Sequence, residues 1–318
     1  MAGYKGQVGW ATESTYGTIA TPTIFAPFLS EEISNDGGAR LVSNGIRAGR
    51  RMVHTHKRGG KTIGGTVAME FGNADVAVLC KHMFGAVETT GTGPYVHTYT
   101  PGSLNDDSLT VQVGRAGTGG AVHARTFSGV KIPSWTLSCT AGELAQLEVE
   151  LSAQDEDGVT SLAAASYTAG WAPYSFVDGS ITKGGVAVAV DSWSLAGTNT
   201  LRTDRHKVGS NLITEQLENG MRELTISVEM DFEDLTVYNN FLDDDNLTLV
   251  LTLDNGTDSF AVTAKGFLSG GSPTTGGPEI LKQPMEFVAE SVTSDADALT
   301  AVLTNSETTA VRWRSPKR

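Results

Sequence analysis

Apolar and polar residues alternate with a period of two along much of this chain. Such alternation sends one row of side chains into a core and the other to a solvated face, the mark of a half-buried strand. It predicts strands over Thr62–Phe71, Leu109–Gly114, Val130–Cys139, Leu147–Ala153, Val186–Leu195, Leu224–Phe232, Leu247–Leu253, Phe260–Phe267 and Met285–Glu290. Two short stretches carry a helical period instead. Val76, Leu79, Cys80 and Met83 line one face behind a cap at Asn73 or Asp75. Leu235, Tyr238 and Leu242 line another behind a start at Asp231 or Glu233. Acidic residues at both starts suit the helix dipole. The fold class expected is mainly β.

The pattern also occurs twice. Lys61-Thr-Ile-Gly-Gly-Thr-Val-Ala-Met-Glu-Phe71 runs into the first helix, and Arg222-Glu-Leu-Thr-Ile-Ser-Val-Glu-Met-Asp-Phe232 runs into the second. Each ends in Met-acid-Phe. A lead-in precedes each, Ser30–Asn35 and Ser192–Gly197, and the spans from lead-in to Phe are 71 − 30 = 41 and 232 − 192 = 40 positions. The expected organisation is two β-modules, each with a short flanking helix. The first spans 1–158 with an N-terminal arm and a basic loop, and the second spans 174–310. A connector at 159–173 joins them, and a basic tail follows at 311–318. Two copies of one module suggest a part built for ring symmetry.

Several long stretches carry no core pattern, among them Gly37–Gly60, Leu201–Gly220 and Leu268–Leu281. Loops of that length are uncommon in compact monomers and are expected to fold against neighbouring subunits. No stretch approaches the ~18 apolar residues of a membrane span. The first ten residues lack an apolar core flanked by basic residues, so the protein is expected to be made, kept or assembled in a cytoplasm.

Charge sharpens this picture. Lys and Arg number 23 against 36 Asp and Glu, a formal net charge of −13. That opposes general nucleic-acid binding but suits a wall past which nucleic acid slides without sticking. Two clusters stand out. Arg40, Arg47, Arg50, Arg51, Lys57, Arg58 and Lys61 form a basic stretch, and Asp243-Asp-Asp245 forms an acidic tip after the second helix. They are solvated loops on one reading and complementary contacts between subunits on the other.

Catalytic and metal constellations were sought and none assembled. His54 and His56 lack a third ligand and sit among arginines, which repel a cation. Gly117-Thr-Gly-Gly120 lacks the Gly-Lys-Ser/Thr ending of a phosphate loop, and no Gly-x-Ser-x-Gly elbow occurs. Glu148 and Glu150 share a strand face but read as solvated acids. Cys80 and Cys139 are expected to be buried free thiols. No cofactor and no enzyme activity are expected.

The sequence resembles the major tail tube proteins of long-tailed bacteriophages. The resemblance is carried by Val8-Gly-Trp-Ala-Thr-Glu-Ser-Thr-Tyr-Gly-Thr18, Thr21–Phe28, Ser43–Arg51, Pro133-Ser-Trp-Thr-Leu137, Leu147–Leu151 and Gly185–Leu195. It implies duplicated tail-tube β-sandwich modules whose inner strands form a β-barrel lumen on oligomerisation, in rings that stack into a conduit for the genome. Self-association is the partner implied first. Two modules per chain give a trimeric, pseudo-sixfold ring, with a ring of six full chains as the alternative. Tape-measure, tail-terminator and tail-tip proteins are further implied partners. Viral DNA would pass without specific binding, no membrane is involved, and the location is the virion tail, assembled in the host cytoplasm.

Candidate lumen residues are Glu70, Glu148, Glu150, Glu229, Asp231 and Glu286. Candidate contacts between subunits are Arg47, Arg50, Arg51, Arg58, Asp243, Asp244, Asp245 and Trp313. The segments Gly3–Pro27 and Val311–Arg318 are further candidate arms. A tail-tip or baseplate hub protein is the nearest rival. A carbohydrate-binding β-sandwich adhesin is the rival from another class, and it would favour exposed aromatic platforms. Trp135 and Trp193 instead sit at core-like strand positions.

Overall fold

The computed structural model of the protein describes residues 3–308 apart from 274, 276 and 292. Its strands form two layers. The inner layer is one antiparallel run in the order Ser30–Glu31, Ile63–Glu70, Gln146–Ala153, Ser134–Thr140, Ser192–Thr198, Glu223–Asp231, Lys282–Ala289 and Ser259–Gly270. Two outer sheets back it. One holds Ile24–Phe25, Gln7–Thr12, Leu109–Ala116, Val122–Val130 and Asp155–Asp157 in that spatial order. The other continues from the inner run through Leu247–Asp254, Gly179–Lys183 and Val186–Val188, with Leu299–Asn305 paired along Ser259–Ala264.

The two halves share one strand order. In each, a lead-in strand pairs with a central strand, the central strand with a closing strand, and the closing strand with the end of a long outer hairpin. The register agrees as well: Ser30 lies opposite Ala68 and Ser192 opposite Glu229. Between lead-in and central strand each half throws out an arm, residues 36–62 and 199–222. The hairpin Gly85–Thr90 with Tyr95–Pro101 occurs in the first half alone and pairs with Leu299–Asn305 of the second.

Alternation explains the packing. Val67, Met69, Leu147, Val149, Trp135, Leu137, Leu195, Ile226, Val228, Met285 and Phe287 are all buried on one side of the inner sheet. They meet the outer sheets in a single core. Phe84 meets Trp135 edge to face with ring centroids 5.1 Å apart. Phe71 of the first half meets Phe260 of the second at 4.9 Å. Buried aromatic pairs of this kind add about 1 kcal/mol beyond their buried area.

Several sequence expectations need correction. Val130–Cys139 is not one strand. Val122–Val130 belongs to an outer sheet and Ser134–Thr140 to the inner one, with a bend at Pro133, which has no N–H to give a ladder. Val186–Leu195 divides in the same way into Val186–Val188 and Ser192–Thr198. In both places the chain crosses between layers while keeping its apolar side inward.

Neither helix has the expected cap. The first, Ala77–Phe84, follows Val76 with no side-chain cap, and Asp75 takes φ 67°. The Asp75 carboxylate instead accepts the Thr168 hydroxyl at 2.7 Å. All eight residues of this helix are buried, so it has no solvated face. Gly85 ends it at φ 105°, where a Cβ would stand 2.1 Å from the Gly102 carbonyl. The second helix, Thr236–Leu242, begins where Asp234 Oδ1 accepts the Thr236 N–H at 2.7 Å. It packs through Val237 and Phe241, while Leu235 and Leu242 are 55% and 59% exposed.

The segment Gly3–Pro27 is not an arm. Gln7–Thr12 is a strand of the outer sheet, and Val8, Trp10, Phe25 and Ala26 are buried. The second arm, expected to pack on a neighbouring subunit, folds onto the first half of its own chain, where Ile213 and Gln216 are buried.

Candidate functional site

The side of the inner sheet away from the core is open, and its register arranges it in rows. One row runs Glu70, Gln146, Ser138, Ser194, Ser227, Glu286 across six strands. The next runs Ala68, Glu148, Thr136, Ala196, Thr225, Val288. Because side chains alternate along each strand, Glu150, Glu229 and Asp231 project to this same side. The structure thus brings all six acidic candidates onto one face. Glu70 is half-buried and the other five are exposed.

Hydroxyl groups tie down some of these acids. Ser134 Oγ donates to Glu150 and Ser227 Oγ to Glu286, each at 2.6 Å. Sequence reading missed two charged members of the face. Glu223 opens the central strand of the second half and lies across from Thr198. Lys282 lies opposite Asp231 and donates to both Asp231 (2.7 Å) and Asp191 (2.5 Å). These carboxylates hold the Lys282 ammonium proton more tightly than a free lysine holds its own. Extending the alternation by one residue before Leu224 would have found Glu223, and by three before Met285, through Pro284, would have found Lys282.

The remaining positions on the six strands are mostly Ser, Thr, Gln and Ala, with no aromatic ring among them. Trp135 and Trp193 point to the core and are buried, as their strand positions predict. The face is therefore hydroxyl-rich and net negative. A phosphodiester chain meets repulsion there rather than cationic contacts.

The other candidates lie apart from this face. Arg40–Val42 pairs with His56–Arg58 as a hairpin, and Arg47, Arg50, Arg51 and Arg58 are exposed on it. Asp243, Asp244 and Asp245 are exposed after the second helix. Among the described residues no ion pair joins the two clusters within one chain. Trp313 lies outside the described residues. Both cysteines are free and buried, and burial pushes the Cys80 thiol up to about 12. Among the described residues no group of three His, Cys, Asp or Glu side chains gathers as a metal site.

Layered sheets, short flanking helices and one continuous acidic face define a mainly β sandwich protein with a broad polar surface. A family model described as phage tail tube protein matches residues 3–289, nearly the whole chain, and the chain belongs to that family. It is a structural protein of the virion tail. No curated protein matches the sequence. No helix among the described residues is long and apolar enough to cross a membrane.

Proposed function

We propose that this protein closes into rings of three chains that stack as the tail tube, with the acidic face lining the conduit through which the genome leaves. The chain is read as two copies of one module, 1–158 and 174–310, joined by 159–173. The observation that carries the reading is the seam between the halves. Ser134–Thr140 of the first half pairs with Ser192–Thr198 of the second over seven residue pairs, so two modules already share one sheet.

Both ends of that sheet are open. The lead-in Ser30–Asn35 is paired on one side to Ile63–Glu70, and Phe267–Gly270 is paired on one side to the closing strand. The halves share one strand order, so the second half of one chain can meet the first half of the next as the two halves meet within a chain. Three chains then give six similar seams and leave the inner sheet no exposed edge, which removes the aggregation hazard of that open edge. The outer sheets and helices occupy the other side of the inner sheet. Closure puts that bulkier layer outside and the acidic face within. Tape-measure, terminator and tip proteins would meet the ring surfaces and tube ends.

Electron microscopy of the concentrated protein tests this reading. Top views should show rings with six lobes in three alternating pairs, stacking into striated tubes. Six full chains per ring would refute the pseudo-sixfold arrangement. A preparation that never forms rings, with or without tail-tip components, would overturn the assembly.

A further inference from the structure

The second arm shows how an arm lands on a neighbouring module. It leaves the seam strand Ser192–Thr198 and lies across the first half of its own chain. Glu215 Oε1 accepts both the Lys131 ammonium and the Asp106 backbone N–H, each at 2.7 Å. Arg222, at its far end, donates to the Phe84 carbonyl where the first helix ends. The landing place is thus the turn between that helix region and the outer hairpin.

The second half has the same turn. Asp106 stands three positions before the strand Leu109–Ala116 at φ 63°, and Asp244 stands three positions before Leu247–Asp254 at φ 55°. Both take the left-handed backbone that Asp tolerates. In this chain the second turn, Asp243–Asp245, is bare, and Leu242 beside it is 59% exposed.

The first arm is held only at its base, where the Lys61 N–H donates to the Asn211 carbonyl at 2.8 Å and the Lys61 ammonium to Asp155 at 2.7 Å. Among the described residues, 40–58 hydrogen-bond only within the arm. Residues 37–60 include six Arg or Lys and no acidic residue. Ile46 and Met52 are 104% and 84% exposed. This arm is continuous with the lead-in Ser30–Asn35, the strand that faces the neighbouring chain in the proposed ring.

We propose that residues 40–58 of each chain dock on the second module of the adjacent chain, seating the basic arm against Asp243, Asp244 and Asp245. The occupant of the bare turn is a second copy of this chain, and the inference rests on the ring reading. Opposite charges fix the register of the seam, and the apolar residues of the arm cover the exposed helix face. The same contact inside the chain sets Glu215 on Lys131 and Arg222 on the Phe84 carbonyl, so the two seams differ in the ion pair each arm makes.

Charge exchange tests this. D243K/D244N/D245K keeps a left-handed-tolerant residue at 244 while reversing the tip. R47E/R50E/R51E/R58E reverses the arm. Each variant should keep the monomer's thermal transition yet lose ring formation at concentrations where the unaltered protein forms rings. The chain carrying both sets of changes should regain it. Rings formed by the tip variant as readily as by the unaltered protein would overturn the arm contact and leave the ring reading intact. Failure of the double set to restore rings would overturn it as well. If the unaltered protein forms no rings, the ring reading fails and this contact falls with it.

Discussion

Trp135 lies flat across Gly197, its cross-strand partner at the seam between the two halves. A Cβ on Gly197 would stand 2.4 Å from indole Cε2. The missing side chain is what lets the indole close the core over the seam. Gly197→Ala should cost about 1–3 kcal/mol, since overpacking a filled core forces side chains off their rotamers. Chemical denaturation of the monomer checks this, and Trp135→Leu in the same chain should recover part of the loss.

Lys131 is buried, with its ammonium on the Leu104 carbonyl and Glu215. Glu215→Gln removes the carboxylate paired with it, leaving a nearly dehydrated charge. Breaking such a pair costs about 3 kcal/mol, read as a lower denaturation midpoint, and Lys131→Met in the Glu215→Gln background should restore most of it.

The same contact gives the arm a pH dependence. Burial opposes ionisation of Glu215, but hydrogen bonds from Lys131 and the Asp106 N–H, with the charges of Lys131 and Arg205, hold its carboxyl below the usual range. A carboxyl lowered on folding stabilises fully above its unfolded pKa, and the contribution is lost as pH falls through the folded value. Hydrogen exchange of amides in 199–222, corrected for intrinsic rates, should keep its protection from neutral pH down to the usual carboxylate range and lose it below. The Glu215→Gln variant should show no such step.

Glu13 is buried and accepts four hydrogen bonds. Ser108 Oγ donates at 2.6 Å, the Gly17 N–H at 2.7 Å, Thr110 Oγ1 at 2.8 Å and the Gly129 N–H at 2.9 Å. Glu13→Gln turns an NH2 group toward donors and should cost about 3 kcal/mol. Differential scanning calorimetry measures the loss, and retention of full stability would show that the loops around Glu13 hold without it.

The acidic face predicts a change in behaviour toward DNA. Glu148, Glu150, Glu229 and Glu286 replaced by lysine should leave the fold intact, because all four are exposed. Fluorescence anisotropy should show duplex binding by the variant that weakens about a hundredfold between roughly 50 and 200 mM salt, and none by the unaltered protein. Equal binding by both would remove electrostatic repulsion from the account of the lumen.

Much of the fold was legible because alternation is local. The Met-acid-Phe ends of Ile63–Glu70 and Glu223–Asp231 announced two central strands, and Met69 and Met230 are buried while Glu70 and Asp231 turn outward. The layer crossings at Pro133 and at Ala189–Asp191 were not legible, because an apolar period runs on unbroken while the backbone changes sheet. The face of the second helix was misread because Leu235 and Leu242 have no cover within one chain. Nothing local marks Glu13 and Gln216 as buried; hydrogen-bond partners distant in sequence, Ser108, Thr110 and Gly129 for Glu13 and Tyr16, Gly129 and Ser152 for Gln216, make their burial tolerable.

The sequence by itself determined which residues of a strand form its inner and outer rows and the net negative charge, since each depends on neighbours two positions away or on composition. The tertiary structure decided which strands lie side by side. It set six acids from four separate strands on one face, joined Ser134–Thr140 to Ser192–Thr198, and laid one arm down while leaving the tip of the other exposed. Strand pairing is a long-range choice among edges of nearly equal hydrogen-bonding capacity, and the packing of both layers at once, rather than any local pattern, selects among them.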